Sequence, residues 1–287
     1  MTTPEIRAKV QALVLKSRKT VRDLFSGEWR TAFRGRGLEF RDLRSYVNGD
    51  DIRFIDWKVT ARTGQPYIRN YSEERELTVM LLCDVSASQL WGAKRELLEQ
   101  LFAVLSLAAG RSGDRVGLWA HSDNLEAFVP PGKGELHWMT MLKTLGQLEP
   151  SSKRTNLSDW FSQVPARFPR PHIFLVLSDF MDTGYENSLR NLASRHDLTL
   201  LHLWDALEGK DFPRGIMQLN DAETGERHLV DGEALWGSQA GSLQARTDLL
   251  KGISRKTGCG YLPLQTQNDF FPALYRYFRL REEIHHG

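Results

Sequence analysis

Hydrophobic residues along this chain keep two different rhythms. Near the start, Ile6, Val10, Leu13, Val14, Val21, Leu24 and Phe25 recur at spacings of three, four and seven. That spacing predicts a helix over 5–25, opened at Pro4 and stopped at Gly27. Between 29 and 76 the rhythm breaks. Gly35, Gly37, Gly49 and Gly64 punctuate short stretches, 48–51 is a turn signal, and 52–57 and 67–71 read as short strands. From Leu77 the pattern changes again. The runs 77–83 and 172–178 are apolar almost throughout, as in parallel strands buried on both faces, and 198–204 reads as a third strong strand. Between and after them, 92–110, 136–148, 156–168, 186–196, 239–256 and 270–283 read as helices. Two further strands are expected at 115–121 and 125–129, followed by a turn at 130–132. A hairpin turn is expected at 220–225, and 261–264 reads as an edge strand because of Pro263. Strands alternating with helices predict an α/β fold: a mostly parallel, Rossmann-type sheet with helices on both faces. Three regions follow: an N-terminal helix (1–28), a β-rich segment packed on the main domain (29–76), and the α/β domain with C-terminal helices (77–287).

Composition narrows the function classes. With 41% hydrophobic and 26% charged residues the chain is neither disordered nor fibrous. The longest apolar stretch, 101–109, is about half of what a membrane-spanning helix needs. The N-terminus has no secretory pattern, so the cytoplasm is the expected compartment. Two cysteines make no disulfide framework, and Cys83 reads as a buried free thiol within a strand. The net charge of +2 hides an asymmetry: residues 1–76 carry 16 Lys and Arg against 11 Asp and Glu. Such an excess complements an acidic partner as well as it suits a solvated surface.

The chemistry concentrates at the ends of two apolar strands. One ends in Asp84-Val-Ser86-Ala-Ser88, the other in Ser178-Asp179. In open α/β sheets the carboxyl ends of the strands form the ligand crevice, so Asp84 and Asp179 are expected to approach each other there. Two carboxylates in one crevice disfavour each other's ionisation, and a bound cation relieves that conflict. Ser86 and Ser88 add hydroxyls at alternate positions, and Thr155 adds another from a polar loop before a helix. Hard oxygens without His or thiolate suit Mg²⁺ or Mn²⁺. Asp182, Asn156 and Gln89 are candidates for a place behind the cation or facing a partner.

Asp84-x-Ser86-x-Ser88, Thr155 and Asp179 resemble the metal-ion-dependent adhesion site of von Willebrand factor A domains in order and spacing. A longer match is closer still. The stretch 44–64, with Arg44, Gly49, Asp50, Asp51, Arg53, Asp56, Trp57, Arg62 and Gly64, resembles the signature of the bacterial domain-of-unknown-function family fifty-eight. So do 73–76, 113–117, 130–134 and 178–180, and the resemblance covers roughly 35–230. Gln89, Trp91-Gly92 and Asp205-Ala206 depart from the family's usual Met, Phe-Gly and Asp-Pro. The resemblance implies a non-enzymatic, metal-dependent protein-binding module with one coordination position left for a partner's Asp or Glu. It also implies partnership with a MoxR-type AAA+ ATPase in chaperone-like maturation of client proteins.

Two other function classes remain open. Asp84 could be the nucleophile of a metal-dependent phosphohydrolase, although Ser86 stands where such enzymes carry a second acid. Arg30, Arg34, Arg36, Arg41 and Arg44, interleaved with Trp29, Phe33, Phe40 and Tyr46, could grip a nucleic acid, but Glu39 and Asp42 interrupt that run. Ion pairing is the expected role of Arg44, Arg53, Arg62, Asp50, Asp51 and Asp56, locking this segment onto the sheet domain, with Trp57 as a packing anchor.

Overall fold

The computed structural model describes residues 39–72, 77–90, 92–152, 154–209, 216–220 and 227–286, together with Ala8. The helix expected over 5–25, the aromatic and basic run up to 38, and residues 73–76 therefore lie outside the described residues, Ala8 apart, which is helical. The chain separates into two compact units, Arg34–Glu76 and Leu77–Gly287 together with Met1–Phe33.

In the smaller unit, β1 (Glu39–Ser45) pairs antiparallel with β2 (Tyr67–Ser72). Residues 52–57 are not the strand their alternation suggested. Ile52–Phe54 forms a 3-10 turn and Trp57–Thr63 a helix, α1. The reason is local capping. Asp51 accepts from the Arg53 amide, Asp56 accepts from the amides of Lys58 and Val59, and Gly64 closes the helix in the left-handed conformation. Two ion pairs join residues of this unit. Arg44 grips Asp50 with two 2.7 Å bonds, and Arg53 pairs with Asp51 at 2.6 Å. Asp50 is held down to about 2, chiefly by the Arg44 fork. Arg62 is exposed, and Trp57 is 69% exposed.

The larger unit is built on a six-stranded sheet in the order β10-β7-β6-β3-β4-β5. Its strands are β3 (Thr78–Asp84), β4 (Arg115–His121), β5 (Leu125–Gly132), β6 (Ile173–Ser178), β7 (Asp197–Trp204) and β10 (Gly260–Gln265). All neighbours are parallel except β4 and β5. The expected turn at 130–132 is the end of β5 instead. An edge strand tolerates Pro130 and Pro131 because their missing N–H groups interrupt no inner ladder. Pro263 sits likewise on the opposite edge. A two-stranded hairpin, β8 (Ile216–Asn220) and β9 (Arg227–Asp231), brackets the predicted 220–225 turn.

Period two along the strands splits the core into two layers. Val79, Leu81 and Cys83 of β3 pack with helices α2 (Lys94–Arg111), α3 (Glu135–Gly146) and α7 (Phe271–His286). Met80 and Leu82 pack on the other face with α4 (Leu157–Arg167), α5 (Glu186–Arg195) and α6 (Gly232–Thr257). Both faces being covered explains why β3 and β6 read as apolar runs and why β7 is buried along most of its length. Cys83 is a buried free thiol, as its place in β3 predicted. No helix among the described residues is long and apolar enough to cross a membrane.

Candidate functional site

The sheet order places the site. After β3 the chain builds β4 and β5 on one side, then crosses to lay β6 on the other. The carboxyl ends of β3 and β6 therefore flank a topological switch point, where α/β sheets open their ligand crevice. Asp84 ends β3, and Asp179 directly follows β6.

Asp84 is fully buried, and each of its oxygens accepts from a hydroxyl. Ser86 donates to Oδ1 from its Oγ (2.7 Å) and its amide (3.0 Å), while Ser178 Oγ donates to Oδ2 at 2.6 Å. Burial, joined by the charge of Asp179, pushes Asp84 up to about 6, and the Ser178 and Ser86 bonds oppose that rise. Ser88 Oγ lies 3.1 Å from Ser86 Oγ and is partly open to solvent. Ser178 also accepts from the Phe180 amide at 2.9 Å. That bond pins Phe180 in the left-handed region at φ 52°, where a non-glycine residue is strained.

Asp179 faces a cation that the chain itself supplies. Lys94 Nζ lies 2.6 Å from Asp179 Oδ2 and 3.2 Å from Glu208 Oε1, and the lysine is fully buried. Burial works against its charge, but the carboxylates of Asp179 and Glu208 outweigh it and hold the ammonium above its ordinary range. Glu208 is shared: its Oε2 accepts from Arg246 of α6 at 2.5 Å. Arg246 Nε donates to His202 Nε2 at 3.3 Å, which leaves the His202 proton on Nδ1, facing the Tyr261 hydroxyl at 3.0 Å. Burial and the Arg246 charge push His202 down to about 3. Asp205 anchors the entry to α2, accepting from the Ala93 amide (3.1 Å) and Thr266 Oγ1 (2.7 Å). Gly92, at φ 63°, passes so close that a side chain there would overlap the Asp205 carboxylate. Around this network four buried carboxylates, Asp84, Asp179, Asp205 and Glu208, accompany two buried cations, Lys94 and Arg246.

The flanking loop is fastened from two sides. Asp182 Oδ2 accepts from the Leu157 amide at 2.8 Å, which ties the start of α4 to the loop carrying Asp179. Glu126 of β5 accepts from Ser151 N (2.8 Å), Ser151 Oγ (3.0 Å) and Ser152 N (3.2 Å). Thr155 lies half-buried between these two anchors. Asn156 caps α4 by accepting from the Asp159 amide.

The structure thus brings Asp84, Ser86, Ser88 and Asp179 together, and the stretch after Thr155 is tied to the loop that carries Asp179 through Leu157 and Asp182. Gln89 does not face a partner: it is fully buried, and neither polar atom of its side chain meets a hydrogen-bond partner among the described residues. Asp182 and Asn156 both accept from backbone amides, Asp182 half-buried and Asn156 exposed. Ser178, Lys94, Glu208, Arg246 and Glu126 were missed as site residues. Only Ser178, adjacent to Asp179, had a local signal. Lys94 had a contrary one, since a cation in the first turn of a helix opposes the helix dipole.

The donor set fits a small hard cation in part. Octahedral Mg²⁺ binds oxygens at about 2.0–2.1 Å, so adjacent ligands stand about 3 Å apart, the separation of the two serine hydroxyls. Asp179 Oδ2, by contrast, is occupied by Lys94. Among the described residues no three His, Cys, Asp or Glu side chains gather into a metal-holding group, so a cation here would draw on hydroxyl oxygens.

A family model described as "Protein of unknown function DUF58" matches residues 42–236. An uncharacterized protein of Mycobacterium bovis is 29% identical over 287 residues, spanning 97% of this chain and 90% of the relative. Uncharacterized proteins of two Mycobacterium tuberculosis strains match to the same extent.

Proposed function

The chain belongs to the DUF58 family, and we propose that its β3–β6 crevice is a divalent-cation site through which it binds a carboxylate-bearing protein. The observation that carries this reading is the Ser86–Ser88 hydroxyl pair, 3.1 Å apart beside the fully buried Asp84. Ser86 and Ser88 would hold the ion, Asp84 would supply the nearest negative charge, and Thr155 and Asp179 would contribute from the flanking loops. Mg²⁺ or Mn²⁺ bound there supplies an electrophilic position that an incoming Asp or Glu completes.

Each residue of the chain then has a task. Ser178 and Ser86 fix the Asp84 carboxylate by donating to its two oxygens. Glu126 and Asp182 fasten the loop that carries Thr155. A carboxylate this buried, with both oxygens engaged, supports holding a ligand over nucleophilic attack, so the proposed activity is binding rather than catalysis. The wider proposal, resting on the family resemblance, is an adaptor in the cytoplasm for a MoxR-type AAA+ ATPase.

Thermal unfolding across a Mn²⁺ titration tests the site. A ligand that binds only the native state adds roughly 2.7 kcal/mol at 100 times its dissociation constant, a shift of several degrees for a chain this size. Wild type should show that shift, and Asp84→Ala and Ser88→Ala should lose it. No shift in wild type at millimolar Mn²⁺, or an equal shift in both variants, would refute the site.

A further inference from the structure

We propose that Lys94 is a built-in counter-ion that shares Asp179 with the proposed metal and so sets how weakly the crevice holds a divalent cation. This inference rests on the metal reading of the same crevice, but it assigns a new residue and a new property.

Lys94 has no reason of its own to be where it is. It occupies the first position of α2, where the helix dipole disfavours positive charge. It is fully buried, and burying an ammonium is costly unless carboxylates compensate it. Compensation comes from Asp179 at 2.6 Å and Glu208 at 3.2 Å, residues 85 and 114 positions along the chain. Such a placement couples the first turn of α2 to the loop after β6 and to the 3-10 turn after β7.

The electrostatic consequence is specific. With Lys94 present, Asp179 and the ammonium form a pair of zero net charge, so a dication gains little from Asp179 and meets a like charge across the same carboxylate. Asp84, Ser86 and Ser88 are left to carry the site. Removing the ammonium while keeping the side-chain length returns Asp179 to the crevice as a full negative charge. One unit charge at such separations in a partly buried site changes dication affinity by on the order of tenfold or more. Lys94 is therefore a positioning residue: it touches Asp179, not the ligand, and it makes metal loading responsive to a partner that brings its own carboxylate.

The test measures Mn²⁺ binding to the EDTA-treated full chain by the electron paramagnetic resonance signal of free Mn²⁺. Wild type is compared with Lys94→Met, Lys94→Arg and Asp84→Ala. Lys94→Met should bind Mn²⁺ at least about tenfold more tightly than wild type, Lys94→Arg should keep wild-type affinity, and Asp84→Ala should lose binding. Lys94→Met/Glu208→Gln, which removes one charge of each sign, is the second variant should the single one not fold without metal, and it is read the same way. Equal or weaker binding by the Met variants beside a binding wild type overturns this inference and leaves the metal site standing. So does Lys94→Arg binding as tightly as Lys94→Met, since the charge would then not be the cause. Binding by the Met variants alone leaves the native chain without a metal site and overturns both. Binding by none of them overturns both.

Discussion

Replacing Ser178 by alanine removes one oxygen atom that serves two partners. Its hydroxyl donates to Asp84 Oδ2 at 2.6 Å and accepts from the Phe180 amide at 2.9 Å, all within a buried environment. A hydrogen bond to a charged group contributes about 1.5–3 kcal/mol, and a buried amide left without an acceptor costs about 1–3 kcal/mol. The sum is about 2.5–6 kcal/mol, or roughly 5–10 °C in melting temperature for a domain of this size. The loss should depend on pH, and the sign is fixed by which form of Asp84 the hydroxyl favours. Ser178 stabilises the ionised carboxylate, whose folded value sits at about 6. The difference between wild type and Ser178→Ala is therefore full only well above pH 6, because Asp84 of the variant lies higher still, and it shrinks as pH falls through 6, where the wild-type protein also takes up the proton. Urea unfolding of both proteins at pH 7.5 and pH 5 measures it. A loss under about 1 kcal/mol at pH 7.5, or one that does not change with pH, would refute the assignment of Asp84 as a buried, hydroxyl-stabilised anion.

Two further outcomes are expected. His202, surrounded by Arg246, Lys94, Asp179, Phe180 and Tyr261, is pushed down to about 3, so the unfolded chain takes up its proton first as pH falls below 6.5. Wild type should then lose about 3 kcal/mol more than His202→Gln between pH 7 and pH 4.5, and parallel unfolding profiles would contradict this. Glu126→Ala should free the Ser151 and Ser152 amides, raising their hydrogen exchange by about ten- to a hundredfold while the strand amides of β3 and β6 stay protected. Unchanged exchange at those two residues would show that other contacts fix the loop.

The sheet was legible because its physics is local. β3, β6 and β7 are buried on both faces, and unbroken apolar runs such as Ile173–Ser178 have few other readings. The pairing of Asp84 with Asp179 was legible for the same reason, since two such strands must end on one rim. What misled was capping: Ile52 to Trp57 alternates like a strand, yet Asp51 and Asp56 each satisfy nearby amides and turn the stretch helical. The prolines at 130 and 131 gave a turn signal that an edge strand absorbs. The Lys94–Asp179–Glu208–Arg246 network was invisible for a different reason. Its members come from four separate segments, and nothing in the residues around Lys94 announces a carboxylate from the loop after β6. Gln89 shows the same limit from the other side, because a polar residue after two serines reads as surface although the structure buries it.

Both outer strands of the six-stranded sheet carry proline, Pro130 and Pro131 on β5 and Pro263 on β10. An open sheet offers its margins as templates on which a second chain can add a strand, and a residue without an amide hydrogen spoils the template. This fold is therefore guarded against lateral polymerisation on both sides at once. Copies of it can be crowded at high local concentration without zipping together through their backbones at these two margins.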